Sequence, residues 1–174
     1  MRMKFDQDWL AIVSCHLDKV ARVLVALFMI GICLDVLFGV VNRFIFRFSV
    51  SWTEELARYL MIWICMLGAS IALKAGGHIG FTFFLMKLKK LKTAVISMNY
   101  FLILIFVSTV AIWGFRLCIT QRYQFSPAMR LSMLWPFLSV PVGSLFMIVH
   151  LLFLMKCLIE KNNTLAKENF KDYR

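Results

Sequence analysis

Four long apolar blocks separated by short charged stretches dominate the chain. Val23 to Val41 is interrupted only by Asp35. Leu56 to Leu73 carries one charge, Arg58, near its start. Ala94 to Phe115 has no charged residue, and Leu131 to Met155 has none either, although it holds Pro136, Pro141 and His150. About 20 residues at roughly 1.5 Å each cross the hydrocarbon of a bilayer, so every block is long enough. Backbone in lipid must satisfy its own hydrogen bonds, which makes each block a helix. The pattern predicts an all-α integral membrane protein, one membrane domain over 1–174, with transmembrane spans near 20–45, 52–74, 94–118 and 131–156.

Composition agrees. Of the 174 residues 61% are hydrophobic and 17% charged, where a soluble domain carries about a quarter charged. Asp6, Asp8 and Asp18 precede the first block and no small-residue cleavage site follows it. The first block is therefore expected to stay as a transmembrane helix rather than leave as a signal peptide. The five cysteines are scattered without a CxxC pair, and read as small buried hydrophobes rather than disulfide or metal chemistry.

Charge sets the expected orientation. Fourteen of the 20 Lys and Arg lie in the N-terminal tail, the loop after the second block and the C-terminal tail. Arg43, Arg47, Arg58, Arg116, Arg122 and Arg130 lie on the other side. The positive-inside rule places both termini in the cytoplasm. The formal charge of +11 matches anionic lipid headgroups and calls for no nucleic acid.

"SWTEELARYL" (51–60) opens the second helix. Ser51 and Glu54 have capping-box spacing, and Glu54 and Arg58 sit at i and i+4 in the favourable order. Helix starting does not require Glu55, Arg43 or Arg47, so an opposite-charge cluster locking the first two helices is the expected role. Asp35 is an intramembrane acid, a class of residue that usually marks function. It serves either as an inter-helix contact or as a proton carrier. "KAGGHIGFTFFLMKLKKLK" (74–92) breaks the second helix at a double glycine. It then repeats apolar residues at helical spacing among Lys87, Lys89, Lys90 and Lys92. An interfacial helix over 79–92 follows. His78 in this stretch reads as a hydrogen-bonding loop residue, with a ligand or pH-sensitive role as the alternative. "QRYQFSPAMRLSMLWPF" (121–137) is the loop into the fourth block. Its Ser126–Pro127 pair marks a turn, and Pro136 and Pro141 kink the helix unless they fall in a first turn.

Taken together, "NRF" (42–44), "SWTEELARYL" (51–60), "LGAS" (67–70), "GGHI" (76–79), "SPAM" (126–129) and "PVG" (141–143) resemble the small membrane subunit of tripartite ATP-independent periplasmic (TRAP) transporters, the DctQ-like family. The pieces fall in that family's order and spacing. One departure is "HIGFTFF" (78–84), where many members place an acid after the histidine; no role of that acid carries over. The resemblance implies a bacterial inner-membrane scaffold. A periplasmic substrate-binding protein would deliver an organic acid, such as sialic acid or a dicarboxylate, to a larger membrane subunit. That subunit would carry the substrate and sodium sites and move as an elevator. Asp35, Arg43, Ser51, Glu54, Glu55, Arg58 and His78 would serve subunit contact or structure, Arg122 and Arg130 would touch the binding protein, and the four lysines at 87, 89, 90 and 92 would meet phospholipid. No cofactor or metal is expected.

Two rivals stand beside this. A stand-alone exporter would exchange protons through Asp35. A haem or thiol-oxidase enzyme would need facing histidines or paired cysteines, and only His150 lies within a block. Four helices with one acid lack the mid-membrane polar set of a secondary transporter.

Overall fold

The computed structural model describes residues 9–47, 50–75 and 92–171, with side chains from 95 to 160 in the last stretch. The elements in chain order are α1 (Trp9–Phe44), α2 (Ser51–Lys74), α3 (Lys92–Gln121), the single turn α4 (Leu134–Phe137) and α5 (Ser139–Lys171). Four of them are long and apolar enough to cross a membrane: Trp9–Phe44, Ser51–Lys74, Val95–Gln121 and Leu134–Glu160, the last joining α4 to α5. The interfacial helix expected over 79–92, with Lys87, Lys89 and Lys90, and the loop residue His78 before it lie outside the described residues, and Lys92 enters only as the first backbone position of α3.

α1 differs most from expectation. It begins at Trp9, well before residue 20, and its 36 residues extend about 54 Å against about 30 Å of hydrocarbon. Polar residues such as Ser14 and Asp18 belong to the same helix as the apolar block. The pattern of apolar residues alone ends a span where hydropathy falls, but helical backbone runs on while side chains find partners.

α2 and α5 form the middle of the bundle. α1 packs on α2 and more lightly on α5, while α3 packs on α5. Tyr100 and Val107 of α3 meet Leu73 of α2 and Leu151 of α5 in the main apolar cluster. Only 6% of the most apolar stretch of α1 is buried, against 22% for that of the last span. The peripheral helices turn broad apolar faces outward.

In lipid, helices associate through close packing of small residues rather than through a hydrophobic drive. Two glycines supply it. A Cβ on Gly143 would lie 2.7 Å from Met66 Cβ and 3.2 Å from the Met66 carbonyl, and one on Gly114 would lie 2.7 Å from Val140 Cγ1. These fix the α5–α2 and α3–α5 distances. Gly68 of "LGAS" faces open space, and Gly31 and Gly39 make ordinary contacts at 3.5 and 3.4 Å. Small size in the sequence does not say which face of a helix meets a neighbour.

Both prolines sit at the third position of their helices, Pro136 in α4 and Pro141 in α5. A first turn does not need their missing N–H groups. The fourth block is thus split at Leu138 rather than kinked midway. The cysteines also depart from expectation: Cys118 alone is buried, while Cys15, Cys33 and Cys65 are exposed. A thiol is apolar enough to face lipid as readily as a core.

Candidate functional site

At the end of the bundle where α1 meets α2, the first turn of α2 organises its surroundings. Val50, not Ser51, is the N-cap, and no side chain among the described residues caps the helix. The capping box of Ser51 and Glu54 therefore does not form. Thr53 Oγ1 donates instead to the Val50 carbonyl at 2.9 Å. Glu54 and Arg58 form no ion pair among the described residues. Both are exposed, and both line an open cleft of about 760 Å³ together with Ser51, Glu55, Pro127 and Ala128.

Glu55 is the residue this end is built around. Its carboxylate accepts the backbone N–H of Met129 at 2.9 Å and of Ala128 at 3.2 Å, and the Tyr59 hydroxyl at 2.8 Å. Donors converging on an ionised carboxylate make hydrogen bonds about twice as strong as neutral pairs. Here they bind the loop before α4 to α2 across more than 70 residues of sequence.

That loop is a shaped hairpin. Phe125 and Ser132 bridge across it; Ser126 N–H donates to the Leu131 carbonyl at 2.9 Å and Met133 N–H to the Gln124 carbonyl at 2.9 Å. Ser132 Oγ donates to the Arg122 carbonyl at 2.7 Å. Ser126, 2% exposed, accepts from Met129 N–H at 3.2 Å. Arg130 holds a φ of 53° to close the turn. Arg122 lies 4.4 Å over the Tyr123 ring. Arg122, Tyr123, Phe125 and Arg130 all face outward from it.

Asp35 lies deeper, 7% exposed, with neither carboxylate oxygen hydrogen-bonded among the described residues. A cavity of about 320 Å³ between α1 and α2 brings it together with Arg43, Glu54, Gly39 and Thr53. Asp35, Gly39 and Arg43 recur every four residues, so they share one face of α1.

The opposite end holds a cluster that sequence reading missed. Ser14 Oγ and His150 Nδ1 are hydrogen-bonded at 2.9 Å, joining α1 to α5. Lys74 Nζ donates to the Ser14 carbonyl at 2.9 Å and lies 3.6 Å from Asp18, which also pairs with Arg22 at 3.2 Å. His150 is fully buried. Three helices meet through these side chains. A signal existed in the sequence: Ser14 and Asp18, four residues apart, are polar positions on one helical face once α1 is extended backwards.

Geometry of this kind fastens elements together; the one hydroxyl–imidazole contact described above, Ser14 with His150, is fully buried, where no substrate reaches it. Comparison with known proteins points the same way. Residues 32–160, well over half of the chain, match the family model described as "Tripartite ATP-independent periplasmic transporters, DctQ component". The sialic acid TRAP transporter small permease protein SiaQ of Vibrio cholerae is 28% identical over 108 residues, 62% of this chain and 62% of that protein. The C4-dicarboxylate TRAP transporter small permease protein DctQ of the same organism is 29% identical over 75 residues, 43% of this chain and 32% of that one. A putative TRAP transporter small permease protein of Haemophilus influenzae is 37% identical over 62 residues, 36% of this chain and 38% of that one. The chain thus covers less than two thirds of each of these relatives.

Proposed function

The chain belongs to the DctQ component family of tripartite ATP-independent periplasmic transporters, and from that premise we propose that it is the small scaffold subunit of a bacterial uptake system for an organic acid. It sits in the inner membrane with both termini in the cytoplasm and the 122–133 hairpin in the periplasm, the orientation that the basic residues favour. It braces a larger membrane subunit that carries the sodium and substrate sites. The exposed hairpin helps to dock a periplasmic substrate-binding protein. Sialic acid and C4-dicarboxylates, the solutes in two relatives' names, are the candidate substrates. As a transporter component the chain is not an enzyme.

The observation that carries this reading is how the polar side chains are used. Glu55 fastens the hairpin, and Ser14, Lys74 and His150 fasten three helices. Such crosslinks suit a brace, whereas the transporting part of a secondary transporter carries broken helices with polar sites near the bilayer midplane. Reconstitution tests it. Liposomes holding this chain, the larger subunit and the binding protein should take up the acid on a sodium gradient. Liposomes with this chain alone should take up none. Uptake by the chain alone would overturn the reading.

A further inference from the structure

The cavity between α1 and α2 is the place where this chain is incomplete. Asp35 is more than nine-tenths buried and both oxygens lack a partner among the described residues. Buried carboxylates are paired or hydrogen-bonded in finished structures, because an unpaired one has lost its water and gained nothing. Two acids, Asp35 and Glu54, line the cavity against one base, Arg43. Around it α1 presents Leu34, Val36, Leu37 and Val40, each about half exposed or more. A buried polar point ringed by apolar side chains is how the strongest spots in protein interfaces are built.

We propose that a lysine or arginine from a transmembrane segment of the larger membrane subunit enters this cavity and meets Asp35. This rests on the bracing role above and names the contact through which bracing works. The order of charges argues for a protein side chain over a phospholipid. Asp35 lies about two turns further from the Phe44 end of α1 than Arg43 does. A phospholipid entering from that end would bring its phosphate, nearer the acyl chains, towards the acid and its ammonium towards the arginine. Both contacts would repel. A basic side chain reaching in through the exposed face of α1 satisfies Asp35 without disturbing Arg43.

The test uses the full chain co-expressed with the larger subunit. A photo-crosslinking amino acid replaces Val40, which lines the cavity, or Phe106, an exposed position on α3. Light should join the Val40 site, and not the Phe106 site, to a transmembrane segment of the larger subunit close to a lysine or arginine. Asp35→Asn should lower recovery of the larger subunit about tenfold at equal membrane levels of this chain. Asp35→Lys should abolish recovery, and an acid in place of the crosslinked base should restore it. Full recovery with Asp35→Asn, or capture by the Phe106 site alone, overturns the inference while the bracing role stands. If the unaltered chain recovers no larger subunit at all, both fall together.

Discussion

Glu55 shows how much one side chain can decide. Glu55→Gln exchanges a charged acceptor for a neutral amide, so the hairpin should loosen. Trypsin cleavage at Arg122 and Arg130 in detergent should rise severalfold, and more than for Tyr59→Phe, which removes one donor only. Unchanged cleavage would mean that the hairpin holds itself. Arg130 offers a control in the same loop. Its φ of 53° suits glycine, so Arg130→Gly should leave stability nearly unchanged. Arg130→Val should cost about 1–2 kcal/mol in thermal unfolding. The sequence pointed to Glu55 only by elimination, as an acid that helix starting did not need. Its partners in the hairpin are the backbone N–H groups of Ala128 and Met129, which no residue type reveals.

For the elements, the informative residues are those where helices touch. Gly143→Ala drives a methyl group into Met66 and should lower stability by about 1–3 kcal/mol. Gly68→Ala fills open space and should raise it by about 0.5–1 kcal/mol. Melting of the two variants in one detergent checks the pair, and equal shifts would reject this packing. Lys74→Met should free the start of α1, seen as faster hydrogen exchange around Ser14 and Asp18 than around Leu27. All four long helices were legible as apolar blocks, since hydropathy reports directly on lipid. The early start of α1 was not, because Ser14 and Asp18 look like tail residues until Lys74 and His150 are placed beside them. Helix contacts were equally hidden: small residues were visible, but the face each occupies depends on how neighbours are arranged.

For the molecule as a whole, the ordered stretches read from the sequence agree with the family that residues 32–160 match. The structure adds a reason for two of them. "SWTEELARYL" and "SPAM" lie far apart in the chain, yet the Glu55 carboxylate of the first holds the Ala128 and Met129 amides of the second. Orientation remains an expectation from charge, and it has a direct check. In a background lacking the native cysteines, Tyr123→Cys should react with a membrane-impermeant maleimide from the periplasmic side of intact cells. A cysteine placed at Lys167 should react only after the membrane is opened. The reverse pattern would invert the topology proposed here.

The span between Glu55 and its loop also governs how the polypeptide is made. The ribosome delivers α2 to the membrane long before residues 126–129 emerge, so for that interval the acid waits with the Tyr59 hydroxyl but without its backbone donors. Nascent chains halted at residue 121 should consequently be cleared by membrane proteases faster than completed ones. Glu55→Leu, which has nothing to wait for, should narrow that gap in lifetime.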